Sequence, residues 1–225
     1  LWAQDAAEIN RLVLEIAFRH GVRKIVKSKS MVSEESALDL AIEGAGLEVV
    51  ETDLGEYILQ INGYEPPSHI VGPALHKSKE EVTELFHRRH GTPRKDGIED
   101  LCREARAVLR EHYLTADMGI SGGNFFVAET GSVLLVTNEG NASLATTLPK
   151  VHVAISGIEK IVPTLEDAAT LMRLLPRSAT GQSISNYVDV LTGTRGEGEF
   201  HGVDHMYFIL VDSGRTGVLA SEVRE

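Results

Sequence analysis

Over its first half the chain alternates two kinds of segment: stretches with apolar residues every three to four positions, and short runs apolar throughout. That alternation constrains the fold more than any other feature, because it is satisfied by helices layered on a sheet of parallel strands. Ile9, Leu12, Val13, Ile16 and Ala17 share one helical face, with Asp5 placed to cap the helix and His20-Gly21 to end it. A strand over 23–27 follows. Ser33 is placed to cap a second helix with Ala37, Leu38, Ala41, Ile42 and Ala45 facing inward; Gly46 closes it and a strand runs over 47–51. The order strand, helix, strand predicts parallel pairing.

Two further helices are signalled between residues 78 and 113. In the second, Ile98, Leu101, Cys102, Ala105, Val108, Leu109 and His112 recur at intervals of three and four, which places Cys102 in the core. Residues 91–97, GTPRKDG, separate the two helices as a loop or hinge. Beyond them the pattern turns strand-rich, with strands expected over 117–120, 124–129, 132–137, 151–156, 184–190 and 206–212 and a helix over 165–175. The whole, residues 1–225, reads as a single α/β domain, three-layer α/β/α with a mixed, partly parallel sheet. In open sheets of this kind ligands collect beyond the carboxyl ends of the parallel strands, so that edge is where chemistry is sought.

Charge narrows the function. With 33 acidic residues against 22 basic ones, a net charge of −11 opposes a broad nucleic-acid or anionic-membrane footprint. The single cysteine, Cys102, cannot supply a disulfide framework or a multi-thiolate cluster, so any iron–sulfur chemistry must reside outside this chain. No apolar run reaches the roughly 18 to 20 residues of a membrane span, and the N-terminus lacks a signal-peptide pattern; a cytoplasmic location is expected. The chain opens on Leu1, so it is expected to be a piece of a longer protein.

Two polar constellations fall at strand ends. Lys27, Ser28, Lys29 and Ser30 leave a predicted strand and enter a helix, where ammonium groups, hydroxyls and free N–H groups suit a carboxylate or phosphate. The plainer alternative is a solvated basic turn. Gly122, Gly123 and Asn124 then open a hairpin that turns at Thr130-Gly131 and ends in Thr137, Asn138, Glu139, Gly140 and Asn141. Paired glycines let backbone approach a ligand, though they also serve to bend strands. Glu129 beside the turn is a candidate nucleophile or base, set against an ordinary exposed turn acid, and His152 near a strand end is a candidate proton carrier, as are His69 and His76. His87 and His90, or His201 and His205, lack a third ligand in a recognised pattern, so no metal is expected. Neither a GxxxxGK[ST] loop nor a GxGxxG turn after the first strand is present.

The segments VKSKSMVSEE (26–35), VVETDLGEYILQ (49–60), PSHIVGPALH (67–76), NFFVAETGSVLLVTNEGN (124–141), LPKVHVAISGIEKIVPTLEDA (148–168) and FILVDSGRTGVLASE (208–222) resemble successive blocks of the LUD domain of the lactate-utilisation iron–sulfur proteins. The resemblance covers most of the chain and is closer to the iron–sulfur-bearing component. It implies a fold similar to the sugar-phosphate isomerase and CoA-transferase group. It also implies a cytoplasmic part in a multi-subunit system oxidising L-lactate to pyruvate, with partner subunits and with 4Fe–4S clusters carried beyond Glu225. On that basis Lys27 and Lys29 would hold a small carboxylate, Ser28, Ser30, Gly122, Gly123, Asn124, Thr137, Asn138 and Asn141 would line the pocket, and Glu129 and His152 would handle protons. Two other functions remain open at this point: an acyl or CoA transferase using Glu129, and a structural module that docks partner subunits.

Overall fold

A computed structural model describes residues 1–69, 71–137, 139–185 and 187–221. The chain opens with β1 (Trp2–Ala3) and α1 (Ala6–Arg19), then β2 (Lys24–Lys27), α2 (Met31–Glu35), α3 (Leu38–Gly44), β3 (Glu48–Glu51) and α4 (Leu54–Ile61). The long helices α5 (Lys79–His90) and α6 (Ile98–Thr115) lead to β4 (Met118–Ser121), β5 (Phe125–Val127), β6 (Ser132–Thr137) and α7 (Asn141–Thr147). The remainder is β7 (Val151–Gly157), β8 (Ile161–Val162), α8 (Leu165–Thr180), β9 (Tyr187–Leu191), β10 (His205–Val211) and α9 (Arg215–Ala220).

The α/β class holds, with a difference in where the mixing occurs. Six strands in the order β1-β10-β7-β4-β2-β3 pair in parallel throughout. The antiparallel strands form a separate sheet, β8-β5-β6-β9, in which only β5 and β8 run parallel. The reason lies in burial: all seven residues of β7 are buried, as befits a strand covered on both faces.

One face of the large sheet packs on α1 and α3 through Ile9, Val13, Ile16, Leu38 and Ile42 against Ile25, Met118, Ile120, Val153, Ile155 and Ile209. The opposite face is covered in two ways. Over β2 and β3 lie Tyr57, Phe86, Leu101, Ala105 and Leu109 from the helices. Over β7 and β10 lie Phe126 and Val133 of the small sheet, which meet Ala154, Met206 and Phe208. The outer face of the small sheet is closed by Ala168 and Met172 of α8.

Three local expectations change. Ser30, not Ser33, caps the helix after β2: its backbone is extended and its side chain accepts from the Ser33 N–H. That helix breaks after Ser36, where Ala37 takes a left-handed φ of 49°. Cys102 is exposed rather than in the core, and so is Ile98. The buried stripe of α6 runs through Leu101, Ala105, Leu109 and Tyr113, and Glu104 takes an inward position beside it. Glu104 tolerates burial because His90 Nδ1 lies 2.8 Å and Lys95 Nζ 2.9 Å from its carboxylate and the Thr92 hydroxyl donates to it. Loop 91–97 is thus pinned to α6.

Burial pushes the Glu104 carboxyl up, but hydrogen bonds from Thr92, Lys95 and His90 outweigh it and hold the group at about 2. A folded value below the unfolded one stabilises the fold above the unfolded carboxylate range and loses that contribution as pH falls toward 2. Glu104→Gln is expected to lower the unfolding free energy by about 2 kcal/mol at pH 7. In urea titrations the deficit should shrink as pH drops below about 4, the wild type losing its advantage.

Candidate functional site

The carboxyl ends of β2, β3, β4 and β7 open into a cleft of about 450 Å³. Ser28, Lys29 and Ser30 line one side, following β2; Gly122, Gly123 and Asn124 line the other, following β4; Ser156 and Lys160 come from β7 and the turn after it. The small sheet supplies a further wall through Leu135, Val136 and Thr137, continued by Glu139, Asn141 and Ala142. The basic turn and the glycine pair meet directly, since a Cβ on Gly122 would lie 3.2 Å from Ser30 Oγ. Gly123 has no room for a side chain at all: a Cβ there would fall 2.3 Å from the Phe126 ring.

Asn124 ties the turn after β4 to β6 of the small sheet. Its N–H donates to Leu134 O at 2.9 Å and its Oδ1 accepts from the Val136 N–H at 2.8 Å. Ser156 Oγ donates to Gly123 O at 3.1 Å, and Thr137 Oγ1 donates to Asn141 Oδ1 at 3.0 Å. Asn138 lies outside the described residues.

Charge in the cleft is mixed. Lys29 Nζ donates to Val71 O at 3.0 Å and stands 3.5 Å from Asp53 Oδ2. Asp53 is held by capping α4, its Oδ1 accepting from the Gly55 and Glu56 N–H groups. Lys160 forms no ion pair with any described residue. Glu139 also lines the cleft, and burial followed by the nearby Asp53 charge pushes its carboxyl up. A carboxylate ligand would find two ammonium groups, and its hydroxyl neighbour would find carboxylate and amide acceptors.

Three residues expected in the site are elsewhere. Lys27 is 1% exposed and points away from the cleft; its Nζ is ion-paired with Glu51, sits 3.7 Å from Asp39 and donates to Ser33 Oγ at 3.1 Å. Strand alternation explains this, because successive residues Lys27 and Ser28 turn to opposite sides. Glu129 is exposed at the hairpin turn, and its Oε1 accepts from the Leu165 N–H at 2.7 Å at the start of α8. His152 is buried with its Nε2 2.8 Å from Ser121 Oγ, and burial brings the imidazole down to about 4, so it is neutral near pH 7. Neither lines the cleft. His69 Nδ1 accepts from the Val71 and Gly72 N–H groups, and His76 Nε2 lies 2.8 Å from Glu65.

Asp53, Ser156 and Lys160 were not singled out in the sequence, and Glu139 was read only as part of a polar loop. Asp53 was legible in principle, as a capping acid two residues past a strand. Among the described residues no group of three or more His, Cys, Asp and Glu is disposed to hold a metal, and Cys102 is a lone thiol that cannot ligate a four-thiolate cluster within this chain. No helix among the described residues is long and apolar enough to cross a membrane.

Fold and cleft together define a class, the open-sheet α/β domains whose crevice lies beyond the carboxyl ends of parallel strands. Residues 1–211 match the LUD domain, and the chain belongs to that family. Lactate utilization protein B of Geobacillus kaustophilus is 51% identical over 221 residues, covering 98% of this chain and 46% of that protein. The protein of the same name from Bacillus pumilus is 48% identical over 220 residues, with the same two shares. The chain thus spans about half the length of the curated relatives it matches. A crystal structure of a DUF162 family protein from Deinococcus radiodurans aligns over 92% of this chain and 98% of that one at 17% identity with a TM-score of 0.37, a similarity too loose to carry an argument.

Proposed function

We propose that the cleft binds a small 2-hydroxy carboxylate and that this chain is the cytoplasmic substrate-handling part of an assembly oxidising L-lactate to pyruvate. The observation that carries the proposal is the convergence of Ser28, Lys29 and Ser30 with Gly122, Gly123 and Asn124 on one crevice. Relatives named lactate utilization protein B support the choice of lactate. Lys29 and Lys160 would hold the carboxylate as charge-assisted donors, while Asn124, Asn141 and Glu139 would orient the hydroxyl. Electron transfer would be supplied by 4Fe–4S clusters and partner subunits outside this chain, since a lone cysteine cannot build such a cluster. Glu129, engaged with the Leu165 N–H and away from the cleft, gives the transferase alternative no support.

Calorimetry with L-lactate and pyruvate tests the proposal. Lys29→Ala and Lys160→Ala are each expected to weaken binding about tenfold, which corresponds to roughly 1.4 kcal/mol. Unaltered affinity in both variants would remove the cleft as the carboxylate site. Given lactate and an artificial electron acceptor, the chain alone should show no turnover; sustained pyruvate formation would contradict the division of labour proposed.

A further inference from the structure

Beside the cleft lies a second chamber of about 230 Å³, lined by Lys27, Ser33, Glu34, Asp39, Glu51, Glu56 and Gln60 with apolar walls from Leu38, Leu40, Leu59, Pro66 and Pro67. Five carboxylates line it, Glu34, Asp39, Glu51, Glu56 and Glu65, the last paired with Lys77; Lys27 is the cation in the lining, and it is already committed to Glu51, Asp39 and Ser33. Glu56 adds an independent observation. It is only 8% exposed and lines both this chamber and the smaller hollow formed with Met31, Glu34, Ser68 and His69, yet its carboxylate makes no hydrogen bond or ion pair with any described residue. Two other oxygens of the lining, Asp39 Oδ1 and Glu51 Oε2, are buried without a hydrogen-bond partner. The Glu56 carboxylate therefore faces the open space of the chamber with no protein group to neutralise it.

We propose that this chamber is a second ligand subsite, taking a small organic cation, a protonated primary amine or a guanidinium, between Glu34 and Glu56. The charge balance excludes an anion, with one engaged ammonium among five carboxylates. The walls favour an organic cation over an inorganic one: the chamber is partly apolar, and no metal-holding cluster of three ligands exists among the described residues. The volume falls below that of pockets for drug-sized ligands, which restricts the occupant to a small group or to one end of a longer molecule. The inference does not depend on which anion the main cleft holds.

The facing charges also set how binding depends on pH. Burial, then the Glu34 and Asp53 charges, opposed by Lys27 and Lys29, bring Glu56 up to about 7; burial pushes Glu34 up as well. A cation entering at neutral pH must therefore displace a proton.

Calorimetric titration of the full chain with ethylammonium and with methylguanidinium, using propanol and Mg²⁺ as comparators, decides the matter. Binding of either organic cation is expected at pH 8, weakened about tenfold at pH 6, with protons released in proportion. Glu56→Gln should reduce the pH dependence to the part that Glu34 and Glu51 contribute and lower affinity at least about tenfold while L-lactate binding is retained. Glu34→Gln, at a more exposed position, provides a second variant should the first fail to fold, with the same direction of effect. Silence from both organic cations at high millimolar concentration, equal binding of propanol, binding of Mg²⁺ alone, or affinities untouched by both substitutions would each overturn the proposal.

Discussion

Replacing Lys27 by methionine is expected to lower the unfolding free energy by about 3 kcal/mol at neutral pH, although the new side chain fills similar space. The ammonium is 1% exposed and stands against Glu51, Asp39 and the Ser33 hydroxyl. Burial alone would strip its proton; Glu51 and Asp39 more than restore it, and the net shift is upward. Removing the cation leaves Glu51, 4% exposed, with burial pushing its carboxyl up and no longer opposed by Lys27. Such a carboxyl takes up a proton on folding, so the folded state loses ground as pH rises above the unfolded carboxylate value. The deficit of the variant should therefore be larger at pH 8 than at pH 5 when both proteins are titrated with urea. A deficit below about 1 kcal/mol at pH 8 would mean that the pair contributes little.

Gly119→Ala is expected to be comparably damaging for a different reason. A Cβ at this position of β4 would lie 1.7 Å from Ala145 O and 2.8 Å from the Ala145 carbonyl carbon, both backbone atoms of α7. Neither atom can swing aside as a side chain would, so α7 must lift from the sheet, at a cost of about 3 kcal/mol or more. The same helix carries Asn141 and Ala142 into the cleft wall, so lactate affinity should fall together with the denaturation midpoint. Gly44→Ala is the matched control. It lies at the end of α3 with no atom within 4 Å of the added methyl and no positive φ, and should leave stability unchanged or raise it by roughly 0.5 kcal/mol.

Much of the frame was readable before any coordinates. The face of α1 was identified residue for residue, because Ile9, Leu12, Val13, Ile16 and Ala17 repeat at helical spacing and are all buried. The hairpin around Gly131 followed from two apolar runs joined by a turn, and Gly131 has the positive φ of 67° that the turn requires. The helix at 165 was placed from its pattern and runs further, to Thr180, with Thr164 and Asp167 forming its capping box. Other elements escaped. α4 went unread although Leu54, Tyr57, Ile58 and Ile61 recur at helical spacing, and α7 went unread beyond Asn141 because NASLATT carries few large apolar residues. The strands expected over 117–120, 151–156 and 206–212 carried no pairing sense, since a short apolar run holds no record of its partner; they run parallel in the large sheet. In α6 the expected stripe lay partly off the buried face, because Glu104 is buried by partners from loop 91–97 and from α5 that no periodicity reveals.

The site divides the same way. Local chemistry drew attention to Ser28, Lys29, Ser30, Gly122, Gly123, Asn124, Thr137 and Asn141, and these share one cleft. Lys27 looked equivalent to Lys29 along the chain, but strand alternation sends it to the other side, into a carboxylate chamber.

The order of residues by itself determined the α/β class, the faces of the strongly amphipathic helices and the polar strand ends, because these depend on spacing and on side-chain chemistry within a few positions. The tertiary structure alone decided which strands became neighbours, that Lys27 faces Glu51 and Asp39, and that Glu139, Asp53 and Lys160 complete a cleft begun by the basic turn. Those facts depend on contacts between segments far apart in the chain, and no local pattern encodes the burial and charge that such contacts create.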